Sequence, residues 1–383
     1  MTPPRNFIAT PRIAILGVFL GYGAAAGLWS GSIPTIVAAA GIDTAKLGLG
    51  LTIYTLVYVL AMFFGGALAR FATNRTIILW ILPLVALTGS ALLVAASPSV
   101  LFASLILFGA ALGLLDLFMN AEGSYIEADL KRPIFTAFHG SASAGIGVFA
   151  ILGSLLSVSF GTPAAALCLI LAMAAAWRLV SRSLPGRHLA IARAGRLFAL
   201  PHLAPLVILG LAAGLVIAGE TASMLWSAKL LNDEAPKLAA IAGLGASFFG
   251  LCTAVVRFSG DAIRARTGDI PLMLGSLIVA IAGFALVGLS GGFWPSAAGF
   301  AIVGFGTACV IPSIFALSAS YVAANRAAGI GFVSLIAGMP RTLAPWIFGF
   351  ISEHHTMSLA FGLCAVAYAI ALALVVLLRS ISR

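Results

Sequence analysis

Apolar segments of about 20 to 28 residues recur from one end of this chain to the other, and that recurrence restricts the fold more than any single motif does. A helix needs about 20 residues to cross the hydrocarbon core of a bilayer. Inside lipid every backbone N–H and C=O must find its partner within the protein, which a helix achieves along its own length. Twelve such segments are predicted, near 13–40, 46–69, 76–96, 98–121, 133–160, 162–180, 202–231, 236–259, 271–290, 293–321, 326–352 and 356–379. The chain is 62% hydrophobic and 8% charged, where soluble domains carry about 25% charged residues. The expected fold class is therefore all-α, a polytopic membrane protein of twelve transmembrane helices.

The net charge of +10 is explained by where the basic residues fall. With the N-terminus inside, the cytoplasmic segments hold Arg5, Arg12, Arg70, Arg75, Lys131, Arg132, the cluster from Arg178 to Arg196, Arg257, Arg264, Arg266, Arg326, Arg379 and Arg383. The outer loops hold Lys46, Lys229 and Lys237, which leaves Arg341 alone within a span. This positive-inside asymmetry predicts a multi-pass membrane protein with both termini in the cytoplasm. It also removes the case for nucleic acid as a partner. The four cysteines lie inside predicted spans without metal-ligand spacing and read as small apolar residues. The first apolar segment is too long for a signal peptide and is expected to remain as helix 1.

The longest predicted cytoplasmic connection, 181–200, separates an N-terminal six-helix bundle (1–180) from a C-terminal one (201–383). Its mix of apolar and basic residues fits either an amphipathic helix on the inner leaflet or a flexible basic linker. Trp29-Ser30 matches Trp226-Ser227 at an offset of 197, and Ser124-Tyr125 matches Ser320-Tyr321 at 196. Nearly equal offsets on corresponding helices make a six-plus-six repeat the economical reading. Such halves place a substrate site near mid-membrane and rock about it. Gly23, Gly27 and Gly31 recur every four residues on helix 1, a spacing that lets helix backbones approach closely.

Polar chemistry concentrates in one stretch, from Asp116 through Asn120, Glu122, Glu127, Lys131 and Arg132 to His139. Ionisable groups at membrane depth are costly and tend to serve function. A carboxyl group in a low-dielectric cavity favours its neutral form, so Asp116 is a candidate for loading and releasing protons, or else a permanently paired structural Asp. His139 offers an imidazole that titrates near neutrality, as a relay to Asp116 or as a satisfied core histidine. The charges at the end of helix 4 read as a solvated, mutually paired loop, with Glu127 and Arg132 as a possible gate against the other half.

Glu220 and Arg341 form a second constellation, about 18 and 15 residues from the cytoplasmic starts of helices 7 and 11. They overlap in depth, and two readings stay open: a Glu220–Arg341 lock, or Arg341 as a fork for an anionic or polyol substrate. Tyr22, Trp29, Tyr54, Asn120 and Trp226 are candidate cavity liners, since sugar-like and amphipathic solutes need aromatic faces and amide hydrogen bonds. No zinc-protease, nucleophile-elbow or phosphate-loop motif is present, which argues against an enzyme.

At this point the chain resembles a major facilitator superfamily transporter over essentially its full length. The motif that family carries between helices 2 and 3 appears worn, as Gly66-Ala67-Leu68-Ala69-Arg70 with Arg75, Arg70 standing at the Asp position. The copy between helices 8 and 9 is fuller, from Arg257 through Gly260-Asp261, Arg264 and Arg266 to Gly268. The resemblance implies that Arg75, Asp261, Arg264 and Arg266 latch cytoplasmic helix ends, with Asp261 mattering more. Asp116, Met119-Asn120, Glu127, Arg132-Pro133, Phe138-His139-Gly140, Ser143, Glu220 and Trp226-Ser227 resemble the YbjJ-like bacterial inner-membrane subgroup, although Thr221 and Leu225 replace a Gly and an Asp of its helix 7 pattern. More distantly the chain is similar to fucose-permease-like proton symporters, in which an acidic residue four before an Asn in helix 4 takes up the proton. Asp116 and Asn120 have that spacing.

The function expected is secondary active transport of a small polar or anionic solute by alternating access, as proton-coupled symport, with Asp116, His139 and Glu220 handling protons and no cofactor. The helix 5 segment lacks the proline of the efflux signature, which leans towards import; proton-driven efflux of drugs or metabolites is the alternative within transport. A non-transporting membrane receptor or scaffold is the alternative of another class. The expected partners are the solute, protons and the lipid bilayer, around a monomer.

Overall fold

The computed structural model describes residues 6–131, 134–188, 203–322 and 326–381. These fold into α1 (Asn6–Ala40), α2 (Thr44–Gly65), α3 (Asn74–Leu93), α4 (Pro98–Leu130), α5 (Phe135–Phe160), α6 (Thr162–Ser183), α7 (Leu203–Glu234), α8 (Leu244–Thr267), α9 (Asp269–Ser290), α10 (Phe293–Thr307), α11 (Val310–Tyr321), α12 (Arg326–His354) and α13 (Met357–Ile381). Short 3-10 turns follow α2 at Gly66–Arg70 and precede α8 at Pro236–Ile241. Among the described residues, twelve helical stretches are long and apolar enough to cross a membrane, α10 and α11 together making the tenth.

Local chemistry sets the helix ends. Asp43, Thr73 and Ser97 cap α2, α3 and α4, each side chain accepting from a backbone N–H three residues on. Lys46 holds the Asp43 carboxyl below the usual carboxylate range through a side-chain hydrogen bond. The tenth span breaks at Ala308–Cys309, four residues before Pro312, whose missing N–H leaves the Ala308 carbonyl without its helical donor.

Two boundaries differ from expectation in ways that move functional residues. Helix α4 continues to Leu130 instead of stopping near 121, which places Glu122 in the helix interior, fully buried. It accepts from the Asn74 amide at 2.6 Å, so Glu122 belongs to a core contact and not to a solvated loop. Helix α8 likewise runs to Thr267 instead of ending near 259, and Arg257 falls well within it. Residues 184–188 of the long connection are irregular and dock on α3 and α4, the Arg187 carbonyl accepting from Asn74 N at 2.6 Å and its guanidinium meeting Asp129 at 2.5 Å. The rest of the amphipathic segment, from 189 to 200, lies outside the described residues.

The glycine stripe of α1 faces α5. A Cβ at Gly23 would stand 2.1 Å from the Ala142 carbonyl oxygen, and one at Gly31 2.0 Å from that of Ala150. The two backbones are in contact because those positions carry no side chain.

The first six spans meet the last six mainly at the end opposite the termini. There a Cβ on Gly48 of α2 would stand 2.8 Å from the Pro345 carbonyl oxygen and 2.9 Å from Gly349 Cα of α12. Glu353 accepts from Thr44 N at 3.0 Å. Ser154 Oγ of α5 accepts from Gly243 N at 3.0 Å and donates to the Ala240 carbonyl at 3.1 Å, while Ser30 of α1 donates to the Met224 carbonyl of α7. Helices α5 and α8 stay together further along, Gly147 lying against Leu251. By contrast α4 makes its main contacts with α1, α2, α3 and α5, and α11 with α7, α9 and α12. The contacts across the two sets of six are thus densest at that end, while α5 and α8 stay together as far as Gly140 and Phe258 and α4 and α11 make their main contacts within their own sets.

Candidate functional site

Between the two sets of six, polar side chains from α1, α2, α4 and α12 converge. Tyr58 of α2 donates its hydroxyl proton to Asp116 Oδ2 at 2.5 Å, and the Tyr22 hydroxyl lies 2.9 Å from that of Tyr58. Since the Tyr58 proton is committed to the carboxylate, Tyr22 donates to Tyr58, and a hydrogen-bonded chain runs Tyr22, Tyr58, Asp116. Asn120, one helical turn beyond Asp116, donates its amide to Asp116 Oδ1 at 2.7 Å and to the Asp116 carbonyl at 2.8 Å. Both carboxylate oxygens therefore have donors.

Arg341 reaches this cluster from the other set of six. Its guanidinium carbon lies 4.9 Å from the centre of the Tyr58 ring, a cation–π contact. Its charge acts on Asp116, Tyr22 and Tyr54 as well. The Nε atom is buried and has no hydrogen-bond partner among the described residues. Pro345, four residues on, cannot supply the N–H that would normally satisfy the Arg341 carbonyl. Tyr54 completes the wall, its ring stacked on Phe108 at 6.0 Å. Asp116, Asn120, Tyr22 and Arg341 are each partly exposed, although helices enclose them on several sides.

The second acidic residue has a different partner from the one expected. Glu220 accepts from Thr307 at 2.7 Å and faces Arg257 of α8 at 3.9 Å. The Glu220–Arg341 lock is corrected accordingly: Arg257 is the nearer cation, and the charge of Arg341 reaches Glu220 only as a weaker influence. Arg257, read from sequence as a cytoplasmic-loop residue, also donates to Ser143 of α5 at 2.8 Å and so ties the two sets of six together. Tyr368 lies beyond Thr307 at 3.4 Å and donates to the Val216 carbonyl at 2.8 Å.

Other expected roles are redistributed. His139 packs edge-on against Phe19 and Phe135, with ring centres at 5.3 and 5.0 Å, and its charged neighbour is Arg257, so the structure does not join it to Asp116. Glu127 accepts from Ile134 N and Phe135 N at 2.7 and 2.6 Å, which makes it the cap of α5 instead of a gate across the halves. Its partner in that idea, Arg132, lies outside the described residues. Trp29 and Trp226 are 2% and 0% exposed, and Trp226 packs at a tilt against Phe348 with ring centres 5.1 Å apart, so both pack in the core and present no face to a cavity. Arg75 donates to the Ser181 carbonyl at 2.6 Å, capping α6 within its own half. Arg264 forks onto Asp269 at 2.6 and 3.3 Å across the α8–α9 turn, while Arg266 is exposed. The side chain of Asp261 lies outside the described residues.

Two members of the site escaped sequence reasoning. Tyr58 stands four residues after Tyr54 and so shares its helix face, a spacing that was available to find it. Arg257, two residues from the end assigned to its span, was counted with the cytoplasmic cations instead of with the site.

No family model matches the chain. It is 27% identical over 348 residues to an uncharacterized MFS-type transporter of Yersinia pestis, covering 88% of each protein. It is 25% identical over 368 residues to an uncharacterized transporter of Sinorhizobium fredii, covering 92% of this chain and 94% of that one. Among solved structures, the nucleoside transporter NupG superposes with a TM-score of 0.75 at 15% identity, covering 97% of this chain and 100% of that one. The E. coli fucose:proton symporter FucP gives 0.63 at 14% identity, covering 97% and 99%. A bacterial homologue of the lysosomal transporter Spinster, in an inward-facing and occupied conformation, gives 0.72 at 15%, covering 99% and 98%. Structural likeness at these identities is likeness of fold. The chain is thus similar in sequence to bacterial transporters, one of them named MFS-type, and shares its fold with solved transporters of the major facilitator superfamily.

Proposed function

We propose that the protein is a proton-coupled symporter that carries a small polar or anionic solute across the bacterial inner membrane, both termini in the cytoplasm. The two sets of six spans act as bodies that rock about the central cluster. Asp116 takes up the proton, and Arg341, Asn120, Tyr22 and Tyr54 meet the solute. The observation that carries this reading is the meeting of Asp116 and Arg341 around Tyr58, with one residue from each set of six. An acidic and a basic group divided between two moving bodies change their interaction when the bodies move, and protonation of the acid changes it too. The spacing of Asp116 and Asn120, shared with fucose-permease-like symporters, supports the same assignment.

Asp116→Asn tests it. The variant keeps the volume and one hydrogen-bond acceptor but holds no titratable proton. In proteoliposomes it is expected to lose uphill accumulation driven by a proton gradient while keeping solute counterflow. Uphill accumulation at the wild-type level would remove Asp116 from the mechanism.

A further inference from the structure

Four ionisable side chains face the space between the two sets of six, and when all are ionised their charges cancel: Asp116 and Glu220 against Arg257 and Arg341. Only the carboxylates can change charge near neutral pH, because a guanidinium stays protonated. The two pairs share one space, Arg341 lying by Asp116 through Tyr58 and acting more weakly on Glu220, whose nearer cation is Arg257. The remaining titratable neighbours are Tyr22, Tyr54 and Tyr58 around Asp116 and Tyr368 near Glu220. Phenols are neutral below about pH 10. His139 packs between Phe19 and Phe135 and is not one of the four.

Net charge at membrane depth is costly. A monoanion entering this balanced site alone would leave one negative charge in excess, and a proton entering alone would leave one positive charge in excess. Entering together, they leave none. We infer that the solute is a hydroxylated monoanion of the sugar-acid class, and that one proton enters with it so that the loaded cavity stays neutral. This rests on the proton-coupled reading above and adds the charge of the solute and the stoichiometry to it. The carboxylate has a receptor in Arg341, whose planar fork suits it and whose buried Nε lacks a partner. The hydroxyls have partners in the Tyr22–Tyr58 chain and the Asn120 amide, beside the Tyr54 ring. Proton and solute then raise each other's affinity, as linkage requires.

The test uses the full chain in nanodiscs and three solutes on one six-carbon skeleton: neutral sorbitol, monoanionic gluconate and dianionic glucarate. Calorimetry in two buffers of different ionisation enthalpy counts protons taken up per solute bound. Gluconate is expected to bind with uptake of one proton, its affinity falling about tenfold per pH unit as pH rises through the titration of the cavity carboxyls. Sorbitol is expected to bind at least about tenfold more weakly. Asp116→Asn or Glu220→Gln supplies the neutralised carboxyl permanently, so in at least one of them gluconate binding becomes independent of pH. Arg341→Gln, checked for folding by its thermal unfolding, loses gluconate affinity about tenfold or more.

Sorbitol binding as well as gluconate with uptake of a proton would overturn the monoanion inference and leave proton coupling standing. Gluconate binding with no proton taken up would sink both. Failure of gluconate to bind in the millimolar range, or glucarate binding as tightly with a single proton, would overturn the charge balance.

Discussion

Tyr58 touches both charges of the central site at once, its hydroxyl on Asp116 and its ring under Arg341. A hydrogen bond to a charged group contributes about 1.5–3 kcal/mol. Tyr58→Phe removes that bond and keeps the ring, so solute-driven transport is expected to fall by about tenfold or more while the cation–π contact persists. Tyr54→Phe keeps the stacking on Phe108 and is expected to change transport by less than about twofold. Equal losses in the two variants, measured as initial rates of uptake, would mean that the Tyr58 hydroxyl has no special part. At this scale the sequence singles out polar residues within spans and is poor at pairing them. Asp116, Asn120 and Arg341 stand out because ionisable and amide groups are rare in apolar runs. Their partners did not, because Tyr58 looks like any other aromatic in a span and Arg257 like a loop cation. Which acid meets which base is decided by helix rotation and tilt, and hydropathy carries no record of either.

Among the elements, α1 and α5 show how composition becomes geometry. Small residues at every fourth position of α1 admit the α5 backbone, and no side chain larger than hydrogen fits at Gly23 or Gly31. Gly23→Leu is expected to destabilise the protein by about 1–3 kcal/mol or prevent its accumulation. Gly275→Ala, at a position with nothing within 4 Å, is expected to be neutral or slightly stabilising. Thermal unfolding of the purified variants separates the two, and equal melting points would contradict the close approach. The number and type of these elements were legible because twenty apolar residues in lipid have little choice but a helix. Their ends were less so. Hydropathy falls at Glu122 and Arg257, yet both helices continue, Asn74 bonding one oxygen of the first residue while Ser143 bonds the second and Glu220 faces it. A buried polar group with a partner from another helix reads in sequence like the end of a span.

For the whole molecule, the joined end formed by α2 with α12 and by α5 with the turn before α8 has to separate if the two bodies rock. Cysteines at Thr44 and Glu353, bridged by a short bifunctional reagent, are expected to stop solute exchange, and release of the bridge by reductant to restore it. Undiminished exchange in the bridged protein would mean that this end does not open during the cycle. The paired Trp-Ser and Ser-Tyr offsets suggest a six-plus-six repeat but say nothing of the side on which the halves would part. That choice depends on a small difference between two packings of the same helices, and no local pattern encodes it.

The central claim is that the Asp116 carboxyl carries the proton that drives the solute, and proton flux measures this most directly. Proteoliposomes loaded with a pH-sensitive dye are given solute from outside with no imposed gradient. The wild-type protein is expected to acidify the lumen on addition of solute, and Asp116→Asn to leave the lumen pH unchanged while still exchanging solute. Acidification of equal rate and extent in the variant would contradict the account.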